Sequence, residues 1–285
     1  MGDRGPGRAA AFVAAAALTA SLGAFAGPAQ AAPGATISGS EKAGAALWES
    51  PGATRMMRRS GAAWYHSWTS EPPAYLGRSR ARFVPMMWGS GSVTEDSLAA
   101  ASRQGRWLMG FNEPDLDGQA DLSVEQALDL WPRLEGTGQR LVSPAVAWGG
   151  ADEGGWLDRF MTGAEERGLR VDAVAVHWYG GDWRPRAARG QLMAYLDAVR
   201  ARYGKPVWLT EFALMRFDGG GQQVPRPRVQ ARFLTLAARG MQRRAWLKRW
   251  AWFGLPAPAR GRSTGLVRPE GTPTAAGRAF RQIAR

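Results

Sequence analysis

Cysteine is absent from this chain of 285 residues, and histidine occurs only twice, at His66 and His177. The first absence excludes disulfides and metal sites built on thiolates. The second leaves no H-E-x-x-H pair or similar spacing, so neither a catalytic zinc nor any other metal or cofactor is expected. A chain without disulfides needs a large core, and a domain of roughly 250 residues buries enough apolar surface to supply one.

Long apolar runs are also missing, with one exception near the start. Arg4 and Arg8 precede an alanine-rich apolar stretch from Ala9 to Phe25, and Ala29-Gln30-Ala31 offers a small-residue cleavage pattern. Residues 1–31 therefore read as a secretory signal and 32–40 as a flexible lead-in, leaving 41–285 as one domain that is expected to be secreted and extracellular. The apolar stretch breaks at Gly23 and Gly27-Pro28, and nothing later matches the roughly 18 uninterrupted apolar residues of a spanning helix. No membrane association is expected once the signal is removed, and a monomer is expected.

Lysine is scarce beside arginine, and the net charge is +13. Such a balance raises nucleic acid as a partner. Yet the arginines are spread along the chain, with clusters at Arg55 to Arg59, Arg184 to Arg189 and Arg239 to Arg249, and no nucleic-acid motif accompanies them. The reading is compositional bias with weak adhesion to acidic polymers, and no nucleic acid.

What is present is an alternation of strand-like and helix-like segments, which argues for α/β with a parallel sheet. Strands are expected near Ala43 to Trp48, Ala62 to Ser67, Arg82 to Trp88, Arg106 to Phe111, Leu141 to Ala147, Ala173 to Trp178, Pro206 to Glu211 and Trp250 to Phe253. Helical stripes run through Val124 to Leu134 behind a Ser123/Gln126 capping box, Trp156 to Ala164, Leu192 to Tyr203 and Val229 to Ala237. Eight strands with covering helices make a single (β/α)8 TIM barrel, and the stretches 180–190 and 219–227 read as long loops on it.

Two apolar runs end in a glutamate: Gly110-Phe111-Asn112-Glu113-Pro114-Asp115 and Val207-Trp208-Leu209-Thr210-Glu211-Phe212. A carboxylate at the end of a buried barrel strand is delivered to the open, catalytic face. Glu113 closes the fourth strand and Glu211 the seventh, so the pair can point across one mouth and perform glycoside hydrolysis. Pro114 disfavours the helical region for Glu113 and is expected to hold it extended. Asn112 shares Glu113's direction only if the strand is locally irregular. An isolated glutamate is more simply a solvated strand end; two in this setting favour catalysis.

Aromatic side chains cluster at the same strand ends: Trp68, Trp88, Trp148, Trp178, Tyr179 and Trp252. Aromatic faces suit the apolar C–H surface of pyranose rings, and at least three of these six are expected to line a cleft. His177 either orients Glu211 or is a hydrogen-bonded core histidine. Asp115, Asp117 and Asp121 form an incomplete calcium-loop pattern and are read as loop caps.

These residues resemble glycoside hydrolase family 128, secreted endo-β-1,3-glucanases within the retaining barrel glycosidases. The resemblance runs from Lys42-Ala43-Gly44 through Trp64-Tyr65-His66-Ser67-Trp68, Gly110 to Asp115, His177-Trp178-Tyr179-Gly180 and Leu209-Thr210-Glu211-Phe212 to Trp250-Ala251-Trp252-Phe253. It implies Glu113 as general acid/base, Glu211 as nucleophile, and Asn112 bonded to the sugar 2-hydroxyl. His66-Ser67 departs from the tyrosine and asparagine expected there. The substrate-binding set is then Asn112, His177, Trp178, Tyr179, Trp68, Trp88, Trp148 and Trp252, acting on β-1,3-glucan. Another β-glycan such as mannan or xylan, or a carbohydrate-binding barrel without turnover, are the alternatives.

Overall fold

The computed structural model describes residues 41–218 and 221–284. The expected signal (1–31) and lead-in (32–40) lie outside the described residues. In chain order the elements are β1 (Ala43–Ala46), α1 (Ala53–Ser60), β2 (Trp64–His66), β3 (Arg82–Phe83), α2 (Glu95–Ser102), β4 (Trp107–Met109), α3 (Val124–Glu135), β5 (Arg140–Val142) and α4 (Trp156–Glu166). Then come β6 (Val174–Gly180), α5 (Pro185–Tyr203), β7 (Val207–Leu214), β8 (Arg216–Asp218), β9 (Gly221–Gln223), α6 (Pro227–Gln242), β10 (Leu247–Trp252) and α7 (Ala275–Ile283). Each of the eight segments read as a strand contains one.

The architecture is α/β with a parallel central sheet. Six strands pair in the order β3-β2-β1-β10-β7-β6, and β4 and β5 form a separate parallel pair. The ladder is interrupted on both sides of that pair, where the strands are short. There, isolated parallel bridges Met86↔Met109, Val142↔Ala173 and Val146↔Val176 carry the contact. Among the described residues, no helix is long and apolar enough to cross a membrane.

Period-two alternation sorts the buried strand residues onto two faces. Leu108, Leu141, Val174, Val176, Val207, Leu209, Trp250 and Trp252 join the larger core shared with the helices. Met109, Val142, Ala173, Ala175, Trp208 and Ala251 join Trp64, Val84 and Met86 in a second cluster on the other face. Gly44 makes room in that inner layer, since a Cβ there would lie 2.3 Å from Trp64 Cε2. Arg249 is sandwiched against Trp64 and Trp208, with its guanidinium carbon 5.3 and 4.6 Å from their ring centres. Burial, ahead of the nearby Arg82 charge, pushes its guanidinium down to about 10.

The layout around the sixth and seventh strands departs from the sequence reading. The stretch 180–190 is not one long loop, because Pro185 starts α5 at the N1 position that suits proline. Within the stretch 219–227, Gly221–Gln223 form β9, which pairs antiparallel with β8. Glu211 does not end its strand, which continues to Leu214. Other expectations stand: Ser123 and Gln126 form the capping box of α3, and Gly204 closes α5 in the left-handed region at φ 63.

Candidate active site

Regular alternation from Trp208 would turn Glu211 toward the helices. A bulge prevents this. The pairing of β6 with β7 passes from Val176↔Leu209 to His177↔Glu211, leaving Thr210 as the extra residue. Phe212 and Leu214 stay in the outer core, so Glu211 points inward. His66 braces the bulge from β2: its Nε2–H donates to the Thr210 carbonyl at 3.0 Å. The ring is buried without a partner at Nδ1, and burial pushes it down to about 4, so it is neutral near pH 7.

Glu113 does not close the fourth strand, which ends at Met109, and it is not extended. Its φ is +43, in the left-handed region, and Trp68 stands at φ 59. Pro114 does bar Glu113 from the right-handed helical region, but the tight turn that follows takes the left-handed alternative. The Glu113 carbonyl accepts Leu116 N–H at 3.1 Å, while Glu113 N–H donates to Ala145 at 2.7 Å. Such a backbone is the irregularity that lets Asn112 and Glu113 serve one site, and each strained residue costs about 1–3 kcal/mol. Asp115 ties the turn to the segment beyond β5, accepting from Ala147 N–H at 2.9 Å.

His177 lies between the two glutamates, fully buried. Its Nδ1 is 2.8 Å from Glu113 Oε1 and its Nε2 is 3.6 Å from Glu211 Oε1. One ligand atom from each of Glu113, His177 and Glu211 falls within 4.8 Å of the others. Glu211 is held on both oxygens: Trp68 Nε1–H donates to Oε1 at 2.8 Å, and the Tyr179 hydroxyl donates to Oε2. Burial raises the Glu211 carboxyl above its ordinary range and Glu113 adds to this, while His177, Tyr179 and Trp68 oppose. Burial alone would lower His177, but the Glu211 charge and the Glu113 hydrogen bond outweigh it and the net direction is up. Tyr179 is pushed well above its ordinary value by burial and then by Glu211, so it keeps its proton and serves as a donor.

A cleft of about 310 Å³ opens over these groups, lined by Trp48, Trp68, Trp88, Asn112, Glu113, Gln119, Tyr179, Glu211, Phe217, Gln222 and Phe253. Trp68, Trp88 and Tyr179 are therefore where the sequence placed them. Trp148 is 54% exposed and lies edge-on to the cleft residue Phe217, centres 6.3 Å apart. Two of the expected six face elsewhere. Trp178 has the opposite phase to His177 and Tyr179 and stacks on Phe233 of α6 at 5.6 Å. Trp252 is wholly buried, shares the outer phase of Trp250, and donates to the Thr264 carbonyl at 2.7 Å. His177 does not line the cleft either, but positions the carboxylates from beneath. Sequence reasoning missed Trp48 and Phe253, which sit just beyond the ends of β1 and β10, and Phe217 and Gln222 on the hairpin.

A parallel α/β fold with one glutamate on β7 and another just beyond β4 meeting in an aromatic cleft has the layout of a glycoside hydrolase. Residues 44–280 match the model of the glycosyl hydrolase catalytic core, and the chain belongs to that family. More narrowly, it belongs to glycoside hydrolase family 128. The chain is 45% identical to a GH128 (subgroup I) endo-beta-1,3-glucanase from Amycolatopsis mediterranei, solved with laminaritriose, over 85% of this chain and 99% of that one, with a TM-score of 0.80. A GH128 (subgroup II) endo-beta-1,3-glucanase from Sorangium cellulosum is 27% identical over 85% of this chain and 98% of that one, with a TM-score of 0.68. The Alkali-sensitive linkage protein 1 of Schizosaccharomyces pombe is 28% identical over 71% of this chain. The match spans about a third of that relative's length, 36%.

Proposed function

We propose that this chain is a secreted, retaining endo-β-1,3-glucanase that works as a monomer and needs no cofactor. The observation that carries the mechanism is the approach of the Glu113 and Glu211 oxygens to within 4.8 Å. Carboxyl groups of retaining glycosidases stand about 5–5.5 Å apart, whereas inverting ones leave roughly 6.5–9.5 Å for a water. The isolated bridges flanking β4 and β5 support closure of the eight parallel strands into a (β/α)8 barrel. The laminaritriose bound by the Amycolatopsis enzyme supports the substrate. Residues 1–31 as a signal support export, and 41–285 form the catalytic domain.

Glu211 is the nucleophile. Trp68 and Tyr179 donate to its two oxygens, which holds the carboxyl in place and counters the burial that raises it. It attacks the anomeric carbon while Glu113 gives its proton to the departing glycosidic oxygen, so the C–O bond breaks and one product leaves with a hydroxyl. Glu113, now a base, takes a proton from water whose oxygen attacks the same carbon and releases Glu211 from the ester. The net change is one glycosidic bond and one water exchanged for a reducing end and a hydroxyl. His177 holds both carboxyls in place from beneath, with Nδ1 against Glu113 and Nε2 toward Glu211.

Laminarin hydrolysis followed by product sizing and time-resolved proton NMR tests this reading. Internal cuts that release the β-anomer first are expected. Initial release of the α-anomer would reject retention, and binding without reducing ends would favour the carbohydrate-binding alternative. A larger rate on mannan or xylan would move the substrate.

A further inference from the structure

Gln119 lies six residues beyond Glu113, yet the chain brings it back to the reacting centre. The Leu116 carbonyl accepts Gln119 N–H at 3.1 Å, Gly118 takes the left-handed φ of 79 that this turn requires, and Ala120 N–H returns to the Asn112 carbonyl at 3.1 Å. Leu122 N–H to the Pro114 carbonyl at 3.0 Å closes the loop. The fold-back delivers one side-chain contact: Asn112 Nδ2 donates to Gln119 Oε1 at 3.0 Å. Asn112 is 3% exposed, and its Oδ1 is buried without a protein partner. Gln119 itself is half-buried and shares the cleft wall with Asn112 and Glu113.

We propose that Gln119 is a positioning residue: by holding Nδ2, it aims the Asn112 carbonyl oxygen at the hydroxyl on C2 of the sugar bearing the scissile bond. An amide presents donor and acceptor from one planar group, so anchoring the NH2 fixes where the oxygen points. Without that anchor the amide is free to turn over and offers the sugar either end. A hydrogen bond to the 2-hydroxyl that strengthens as the anomeric carbon gains charge acts on the transition state more than on binding. The proposal rests on the glycosidase reading above.

The test compares an aryl β-laminaribioside with its analogue lacking the 2-hydroxyl on the ring next to the aryl group. Gln119→Met keeps the length of the side chain and removes the acceptor; Gln119→Glu keeps the acceptor. With the hydroxyl present, Gln119→Met is expected to lower kcat/KM roughly tenfold, chiefly in kcat, and Gln119→Glu is expected to recover part of this. On the 2-deoxy analogue, Gln119→Met is expected to change kcat/KM less than about twofold. Because each variant is judged by the ratio between two substrates, a partly unfolded preparation leaves the answer intact. Equal losses on both substrates, or no loss on either, overturn the proposal. Failure of the unaltered enzyme to cleave the aryl laminaribioside would instead strike the function itself.

Discussion

Replacing His66 with glutamine should make folding stability less sensitive to acid. The imidazole is fully buried, gives its Nε2–H to the Thr210 carbonyl, and has no protein partner at Nδ1. Protonation would place a charge there without a counter-ion, close to His177, and the group is accordingly lowered from 6.5 to about 4. The unfolded chain takes up this proton near pH 6.5, while the folded chain resists until about pH 4. Stability from this residue is therefore intact above pH 6.5 and lost progressively as pH falls to 4, below which no more is lost. The gap between 6.5 and about 4 corresponds to roughly 3 kcal/mol. Glutamine retains a donor for Thr210 and does not titrate. Urea unfolding at pH 7, 5.5 and 4.5 measures the effect as the difference between the two proteins, which removes contributions they share, including those of Glu211 and His177. Any advantage of the parent at pH 7 should shrink by about 2 kcal/mol or more at pH 4.5. A difference that stays constant with pH would falsify the assignment of His66 as a neutral buried brace.

Further outcomes follow from the site and its walls. Glu113→Gln and Glu211→Gln should each lower kcat on laminarin by roughly 10²–10⁴-fold with the fold intact, measured by reducing-end release and circular dichroism; near-normal turnover in either would remove it from the chemistry. Trp68→Phe and Tyr179→Phe each delete a donor to Glu211 and should cost about tenfold or more in kcat, with KM little changed. Phe217→Ala should raise KM for laminarin oligosaccharides and spare stability, since Phe217 is 49% exposed. Trp252→Ala should do the reverse, destabilising by roughly 3–5 kcal/mol in a denaturant melt, because that ring is a core residue.

The contrast between Phe217 and Trp252 shows where the sequence stops speaking. Apolar runs, glycine punctuation and a capping box marked the strand segments and most helices, since these signals are local. The two glutamates were legible because each ends an apolar run. Phase was not. Trp178 and Trp252 stand at strand ends as Tyr179 does, yet one residue of register turns an indole toward the helices and a phenol toward the nucleophile. The bulge at Thr210 has no letter that announces it, and neither does the left-handed φ at Glu113, because both depend on pairing with distant strands. Gln222 lies on β9, inside a stretch whose glycines read as loop, and Phe217 lies on the β8 strand that pairs with it. Gln119 carried no signal, since its contact arises only when the turn beyond Pro114 closes.

The imidazole wedged beneath the cleft touches both acids. The Glu211 charge and the Glu113 hydrogen bond both raise His177, so amidating either acid leaves the imidazole with a different proton affinity than in the parent. Activities of the two glutamine variants read at one fixed pH thus compare enzymes whose imidazoles differ, and only whole pH–rate profiles can rank the two acids.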